Sequence, residues 1–317
     1  PVKILIDHQL PFLLAHGGLQ IQIERTKEAL ESIGVEVEYL RWWDDAQKGD
    51  IIHFFGLPSL GFLQMAHAKN LPVIATHLLT STCNRPVVTL LLQGLITRAL
   101  YRLPGWGLIR NQTTWPVLRS LGHLVVGLDA EKKVLAGVFG VPRERISIVP
   151  LGLDDVYRKH GSNTSKKSYL VTTGTITARK NSVELARHAK KANVPVLFVG
   201  KPYAYDDPYW IDFKKEIDGR IVLHIDHIKD PEDLATLLRE ARGFVIASRY
   251  ENWCLSAHEA AGCGLPLLLP DQRWARERFG LNASYFKTQS GSATAKALKE
   301  FYERAPRLSC PPMPDGW

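Results

Sequence analysis

The stretch "GFVIASRYENWCLSAHEAAGCGLPLLL", residues 243–269, holds the pattern on which the fold turns. "GFVIAS" is a short, apolar, β-branched run of the kind that forms a buried strand. Gly264 and Pro266 punctuate the chain before "LLL" opens a second buried strand. Strand, turn, helix, strand in so short a span is one crossover unit of a parallel sheet. Two glutamates eight residues apart, Glu251 and Glu259, stand on the strand-to-helix turn among apolar neighbours. Ser256 and Glu259 fit a capping box, with Ser256 as N-cap and Glu259 at N3. No cap explains Glu251.

Outward from that unit the same alternation covers the chain. "VKILI", "VEVEYL", "DIIHFFG", "PVIATH", "HLVVG" and "ISIVPL" are one series of strands; "YLVTTG", "VPVLFVG", "IVLHI", "GFVIAS", "LPLLL" and "ASYFK" are a second. Helical patterns such as "AEKKVLAGVFG" and "PEDLATLLREAR" separate them. The polar stretch 154–168 interrupts the two series and reads as a linker. The expected architecture is therefore α/β: two tandem Rossmann-like doubly wound domains facing a cleft. Their limits are 1–153 and 169–317, with the last helix able to pack back on the N-terminal domain. Such sheets bind ligands outside the carboxyl ends of their strands.

The 317 residues carry 40 Lys and Arg against 32 Asp and Glu, a formal charge of +8, which points to an anionic partner such as a phosphorylated small molecule or an acidic membrane. Cys83, Cys254, Cys263 and Cys310 have neither CxxC nor metal-site spacing, so no disulfide framework or zinc site is expected and a reducing cytoplasm fits. The chain opens directly on a strand, so no signal peptide is expected, and no apolar run is long enough to span a bilayer.

The strand ends carry the chemistry. Gly17 and Gly18 precede the first helix, where glycines admit close approach of backbone N–H groups to a phosphate or sugar. The equivalent loop of the second series, "GTITARKN", places Arg179 and Lys180 before a helix, cations suited to a diphosphate. Their alternative is solvated surface charge. His53 and His77 each end an apolar strand of the first series, where a cleft role competes with simple packing. Between His77 and Gly122 runs an apolar stretch with Arg85, Arg98, Arg102, Arg110 and Arg119 plus Trp106 and Trp115. It suits either contact with acidic lipid or a lipid-linked acceptor, or a partly buried helix with solvated arginines.

"SRYENWCLSAHEAAGCGLPLLLPD" resembles the EX7E region of the glycosyltransferase family 4 enzymes of GT-B fold, in which a Glu-Gly-Phe-Gly-like turn precedes a second Glu. The likeness runs through nearly the whole chain in order: "VKILI…HGGLQ" resembles the opening strand and Gly-Gly loop, and "DIIHFFG" and "PVIATH" the two His-bearing strands. "ISIVPLGLD" resembles the segment before the linker and "TTGTITARKN" the Gly-Arg-Leu…Lys-Gly turn. The family's Arg after Gly174 falls on Thr175, leaving open whether Arg179 substitutes. Asn252 and Cys254 replace residues of the usual turn.

The resemblance implies a retaining hexosyltransferase using a UDP- or GDP-sugar, with no cofactor and no essential metal. It implies Glu259 on the ribose diol and Glu251 on the sugar hydroxyls. The N–H groups of Asn252, Trp253, Cys254 and Leu255 would receive the diphosphate, alongside Gly174. Lys180 would neutralise the leaving diphosphate, and His77 would lie near the sugar. A saccharide or lipid-linked acceptor and peripheral contact with acidic membrane are the implied partners; nucleic acid is disfavoured. A nucleotide-sugar epimerase, a glycoside phosphorylase and a non-catalytic sugar or nucleotide binding protein are the rival readings.

Overall fold

The computed structural model describes residues 2–13, 17–77, 82–103, 114–159, 167–287 and 291–317. The chain divides into two units, Pro1–Leu151 with Trp317, and Gly152–Gly316.

In the first unit, strands β1 (Lys3–His8), β2 (Glu36–Tyr39), β3 (Ile51–Phe55), β4 (Val73–Thr76), β5 (His123–Val126) and β6 (Ile146–Ile148) form a parallel sheet ordered β2-β1-β3-β4-β5-β6. Its helices are α1 (Gly18–Ser32), α2 (Leu60–Ala68), α3 (Val87–Arg102), α4 (Trp115–Ser120) and α5 (Asp129–Gly137). Successive side chains of β1 take opposite faces. Leu5 joins Ile52, Phe54, Leu124 and Leu135 on one side, while Ile6 joins Ile23, Val37 and Phe55 on the other. Burial on both faces is why these strands read as continuous apolar runs.

The second unit repeats the plan with β7 (Leu170–Thr173), β8 (Val196–Val199), β9 (Val222–Ile225), β10 (Gly243–Val245), β11 (Leu267–Pro270) and β12 (Ser284–Phe286), ordered β12-β11-β10-β7-β8-β9. Helices α6 (Ser182–Ala192), α7 (Pro208–Glu216), α8 (Pro231–Glu240), α9 (Leu255–Gly262), α10 (Arg273–Phe279) and α11 (Gly291–Arg304) complete it. Every strand run read in the sequence is a strand, and both sheets are parallel. Each sheet reverses direction once, between β1 and β3 in the first and between β7 and β10 in the second. These are the places where an open α/β sheet leaves a crevice for a ligand.

Two expectations need correction. The last helix, α11, does not leave its own unit: it packs on α6, with Leu298 and Phe301 in the second core. Its apolar face matches the β7–β10 side of that core, where Phe301 lies against Gly243. The segment 154–168 starts as part of the second unit rather than as a free linker. Tyr157 is buried, its backbone carbonyl lies against Gly262, and Arg239 of α8 donates to the carbonyls of Val156 and Lys159. A polar average masked these backbone anchors, which carry no side-chain signal; residues 160–166 lie outside the described residues.

Candidate functional site

At the reversal point of the second sheet, β7 ends at Thr173 and turns at Gly174, whose φ of +138° suits glycine. A Cβ on Gly200, which follows β8 at φ +149°, would stand 2.1 Å from the Gly174 carbonyl oxygen, so the two loops close up only because position 200 has no side chain. The Lys180 stem crosses Gly174, with Cε 3.4 Å from where a Cβ would sit. Behind it the backbone of Asn181, left-handed at φ 61°, feeds α6, and the Tyr209 hydroxyl accepts from the Val183 N–H at 2.9 Å. Burial pushes the Tyr209 hydroxyl up to about 12, keeping it a neutral partner.

β10 supplies the facing wall. Ser248 is buried, and its carbonyl and that of Arg249 accept from Gln272 Nε2 at 3.1 and 2.8 Å. Trp274 Nε1 in turn holds Gln272 Oε1 at 2.7 Å. The Arg249 N–H donates to the Arg179 carbonyl at 2.9 Å, tying this loop to the one after β7. The loop thereby delivers Glu251, 6% exposed, to both cations: Lys180 Nζ lies 2.6 Å and Arg179 Nη1 2.7 Å from the same Oε1. Burial pushes the Glu251 carboxyl up, but the Lys180 and Arg179 charges outweigh it and hold it below the ordinary range. Two cations on one carboxylate leave an excess positive charge at this point.

After Glu251, Asn252, Trp253 and Cys254 are buried. The Trp253 ring lies between the His258 ring, at 4.7 Å and nearly parallel, and the Arg278 guanidinium, 3.7 Å from its centroid. His258 Nδ1 donates to the Cys254 carbonyl at 3.1 Å, and burial pushes the ring down to about 4, so it is neutral near pH 7.

The capping box does not form. Cys254, left-handed at φ 53°, is the N-cap of α9, and the Ala257 and His258 N–H groups reach back to its carbonyl at 3.0 and 3.4 Å. The helix therefore starts two residues earlier than the Ser256 pattern predicts, because the backbone turn is made at Cys254 rather than by a serine side chain. Ser256 is inside the helix, its hydroxyl 3.4 Å from Cys254 Sγ. Glu259 is on the second turn and half-buried. Burial, then the neighbouring Asp154 charge, push its carboxyl up to about 7 against the opposing pull of Lys180.

The structure thus gathers Gly174, Arg179, Lys180 and Glu251, with half-buried Thr175 in the same loop and residues 252–255 running on from it. Gly17, Gly18, His53 and His77 belong to the first unit. Gly17, at φ +134°, caps α1 with open space around its Cβ position; residues 14–16 of that loop lie outside the described ones. His77 follows β4, and burial pushes it down to about 4. His53 is committed to packing rather than to a ligand: Nε2 lies 2.7 Å from Thr76 Oγ1 and the ring stacks on Phe55 at 4.3 Å. Sequence reading passed over Asp7, a buried carboxylate closing β1, although its place at the end of "VKILI" was a visible signal. Burial pushes Asp7 up, while its Oδ1 accepts from the His8 N–H at 2.9 Å and from Trp42 Nε1 at 3.4 Å. Among the described residues no three His, Cys, Asp or Glu side chains cluster as metal ligands would.

Residues 168–304 match the family model described as Glycosyl transferases group 1. The match lies within the second unit and contains the whole Arg179–Lys180–Glu251 cluster. Solved structures extend the likeness to both units. A sucrose-phosphate synthase from Thermosynechococcus elongatus is 16% identical at a TM-score of 0.70, over 98% of this chain and 92% of that one. Anabaena HepE, solved with UDP-glucose, is 14% identical at 0.63, with the same coverage. The pneumococcal O-GlcNAc transferase GtfA, solved with UDP and GlcNAc, is 15% identical at 0.57, over 81% of this chain and 51% of that one. At such identities the likeness carries the fold, two parallel-sheet Rossmann-like domains as in GT-B glycosyltransferases. No curated protein sequence matches the chain.

Proposed function

We propose that the chain transfers a hexosyl group from a UDP-sugar to an acceptor hydroxyl, with retention of anomeric configuration, as the family 4 resemblance of its motifs implies. The observation that carries the reading is the pair Lys180 and Arg179 converging on one oxygen of buried Glu251 at the reversal point of the second sheet. Their excess positive charge suits a diphosphate. Charge grows on that group as the glycosidic bond breaks, so cations fixed there lower the barrier. Arg179 takes the part of the arginine missing at Thr175.

Glu251 accepts from the sugar hydroxyls, and the N–H groups from Asn252 to Leu255 meet the diphosphate. Glu259 takes the ribose diol, Gly17 and Gly18 admit the donor to backbone N–H groups, and neutral His77 hydrogen-bonds the sugar. No metal has a role in this reading. UDP is favoured over GDP because HepE and GtfA were solved with uridine nucleotides.

Calorimetry and thermal shift with UDP, UDP-glucose, UDP-GlcNAc and GDP test it. A ligand at 100 times its dissociation constant adds about 2.7 kcal/mol to stability. If none shifts the melting temperature at millimolar concentration, the reading fails; a labelled donor then separates transfer from epimerisation and phosphorolysis by product.

A further inference from the structure

Helix α3 presents an apolar face that is exposed among the described residues. Val87, Val88, Leu91, Leu92, Leu95 and Ile96 are each between 55% and 68% exposed. At about 100° per residue they fill roughly half the circumference of the helix. A helix that is apolar all round is ordinarily buried.

The inner face is already fixed. Leu90, Gly94 and Thr97 are buried. Gly94 lies so close to α5 that a Cβ would be 3.1 Å from the Gly137 carbonyl oxygen. Arg98 Nη2 donates to that same carbonyl at 2.6 Å. The helix cannot roll to hide its outer aliphatics without driving a branched side chain into that contact.

Charge along the chain on either side of the helix has one sign. Residues 51–128 contain no Asp or Glu and carry Lys69, Arg85, Arg98, Arg102, Arg110 and Arg119, most of the chain's formal +8. Arg85, its Nη1 2.9 Å from Gln93 Oε1, stands at the start of α3, and Arg98 and Arg102 near its end. Arg119 lies over the Tyr101 ring at 4.4 Å. Trp106 and Arg110 lie outside the described residues. An aliphatic face with arginines at both ends of its helix and no carboxylate on the helix itself complements a surface that is anionic at the headgroups and apolar beneath.

We propose that α3 docks the protein, parallel to the surface, on a bilayer containing anionic lipid. Sixteen residues at 1.5 Å each reach about 24 Å, short of a hydrocarbon core of about 30 Å, and the inner face is occupied by protein. Among the described residues no helix is long and apolar enough to cross a membrane. The helix lies on the surface, its aliphatics below the headgroups and its arginines among the phosphates. The inference is independent of the donor chemistry proposed above.

The test is flotation of the intact protein with vesicles of phosphatidylcholine alone and of phosphatidylcholine with phosphatidylglycerol. Binding is expected to the second and to weaken with salt. Leu91→Gln/Leu95→Gln should bind about tenfold less tightly or worse, since each leucine buries its side chain on docking. Arg102→Glu should bind several-fold less tightly. Both variants alter exposed side chains, so an unchanged melting temperature is expected and certifies the fold. No binding to anionic vesicles, or equal binding by the double leucine variant, overturns the proposal. So does a solution dimer, seen by light scattering, that the leucine variant dissociates, because the face would then belong to a second copy of the chain.

Discussion

The reversal points of the two sheets occupy the same place in the same topology and are built from opposite chemistry. In the first unit the strand ends offer a buried Asp7 whose carboxyl is pushed up, and the rings of His53 and His77, both pushed down to about 4. Both rings are therefore neutral near pH 7, and burial shifts Asp7 toward its neutral form. In the second unit the corresponding loops gather Arg179, Lys180 and an ionised Glu251. Topology supplies a crevice in each sheet; the side chains make one a cluster of fixed charge and line the other with neutral rings.

Acid should separate the two units most. A buried histidine with a depressed pKa contributes stability above its unfolded value, about 6.5, and loses it as pH falls toward about 4. Glu259 has the opposite sign: raised to about 7 from 4.5, it favours the fold increasingly as pH falls through 7. Between pH 7 and pH 5 the loss at His258, with a smaller one at His188, is therefore offset in the second unit. In the first unit His53 and His77 each lose about 2 kcal/mol, at about 1.36 kcal/mol per pKa unit. Hydrogen exchange at the two pH values, corrected for intrinsic rates, should show β1–β6 losing roughly 100-fold more protection than β7–β12. Equal losses would break the contrast.

The glycines at the two crevices should also differ. Gly200→Ala meets the Gly174 carbonyl at 2.1 Å in a backbone at φ +149°, and should cost about 3 kcal/mol or more. Gly17→Ala has a similar φ, +134°, but open space, so about 1 kcal/mol is expected. Urea midpoints decide; similar losses would mean that the junction of the β7 and β8 loops yields easily.

Turnover should depend on the charged crevice first. Lys180→Ala is expected to lose about 100-fold in kcat, about 2.7 kcal/mol. It should also lose about 1–2 kcal/mol of stability, since buried Glu251 loses one of its two cations. Adding Glu251→Gln should restore stability without restoring turnover, a coupling that a double-mutant cycle reads directly. His77→Gln, a change between neutral hydrogen-bonding groups, should lose roughly tenfold or less. Unchanged kcat in Lys180→Ala would reduce that lysine to a support for Glu251.

The strands were legible because burial on both faces writes apolar, β-branched runs that local composition carries intact. Lys180 and Glu251 were legible because loops at strand ends gather in one place once the sheet order is known. Other features depend on contacts between distant residues and leave no local trace. Gly200 answers to a carbonyl in another loop, Gln272 braces Ser248 from the loop after the neighbouring strand, and Arg278 of α10 lies over the Trp253 ring. Ser256 misled because a serine followed by a glutamate three residues later is a good cap in isolation. The backbone had already turned at Cys254, whose left-handed conformation nothing in its side chain announces.

Glu259 gives the finest contrast, since Asp7 is its counterpart in the first unit: both are carboxyls pushed up chiefly by burial. With the capping box absent, Glu259→Gln removes no cap. It removes a carboxylate that is costly to ionise in place. The shift from 4.5 to about 7 corresponds to about 3 kcal/mol, discounted to about 1–2 kcal/mol for a half-buried group. The variant should therefore be more stable than the parent at pH 8 and no more stable at pH 4.5, where the parent carboxyl is already protonated. Nucleotide affinity should move the other way, falling several-fold at pH 8 as charge-assisted hydrogen bonds to the ribose become neutral ones. The parent's affinity should itself decline as pH drops below about 7, while the glutamine variant stays flat across that window. Asp154→Asn, removing one of the charges that raise Glu259, should shift the parent's midpoint to lower pH. Asp7→Asn should raise stability at pH 8 in the same sense and leave nucleotide affinity alone. If calorimetry shows Glu259→Gln binding UDP as tightly as the parent at pH 8, Glu259 and Asp7 are alike after all, two carboxyls that are costly to ionise in the fold, and the ribose contact must be sought on another residue.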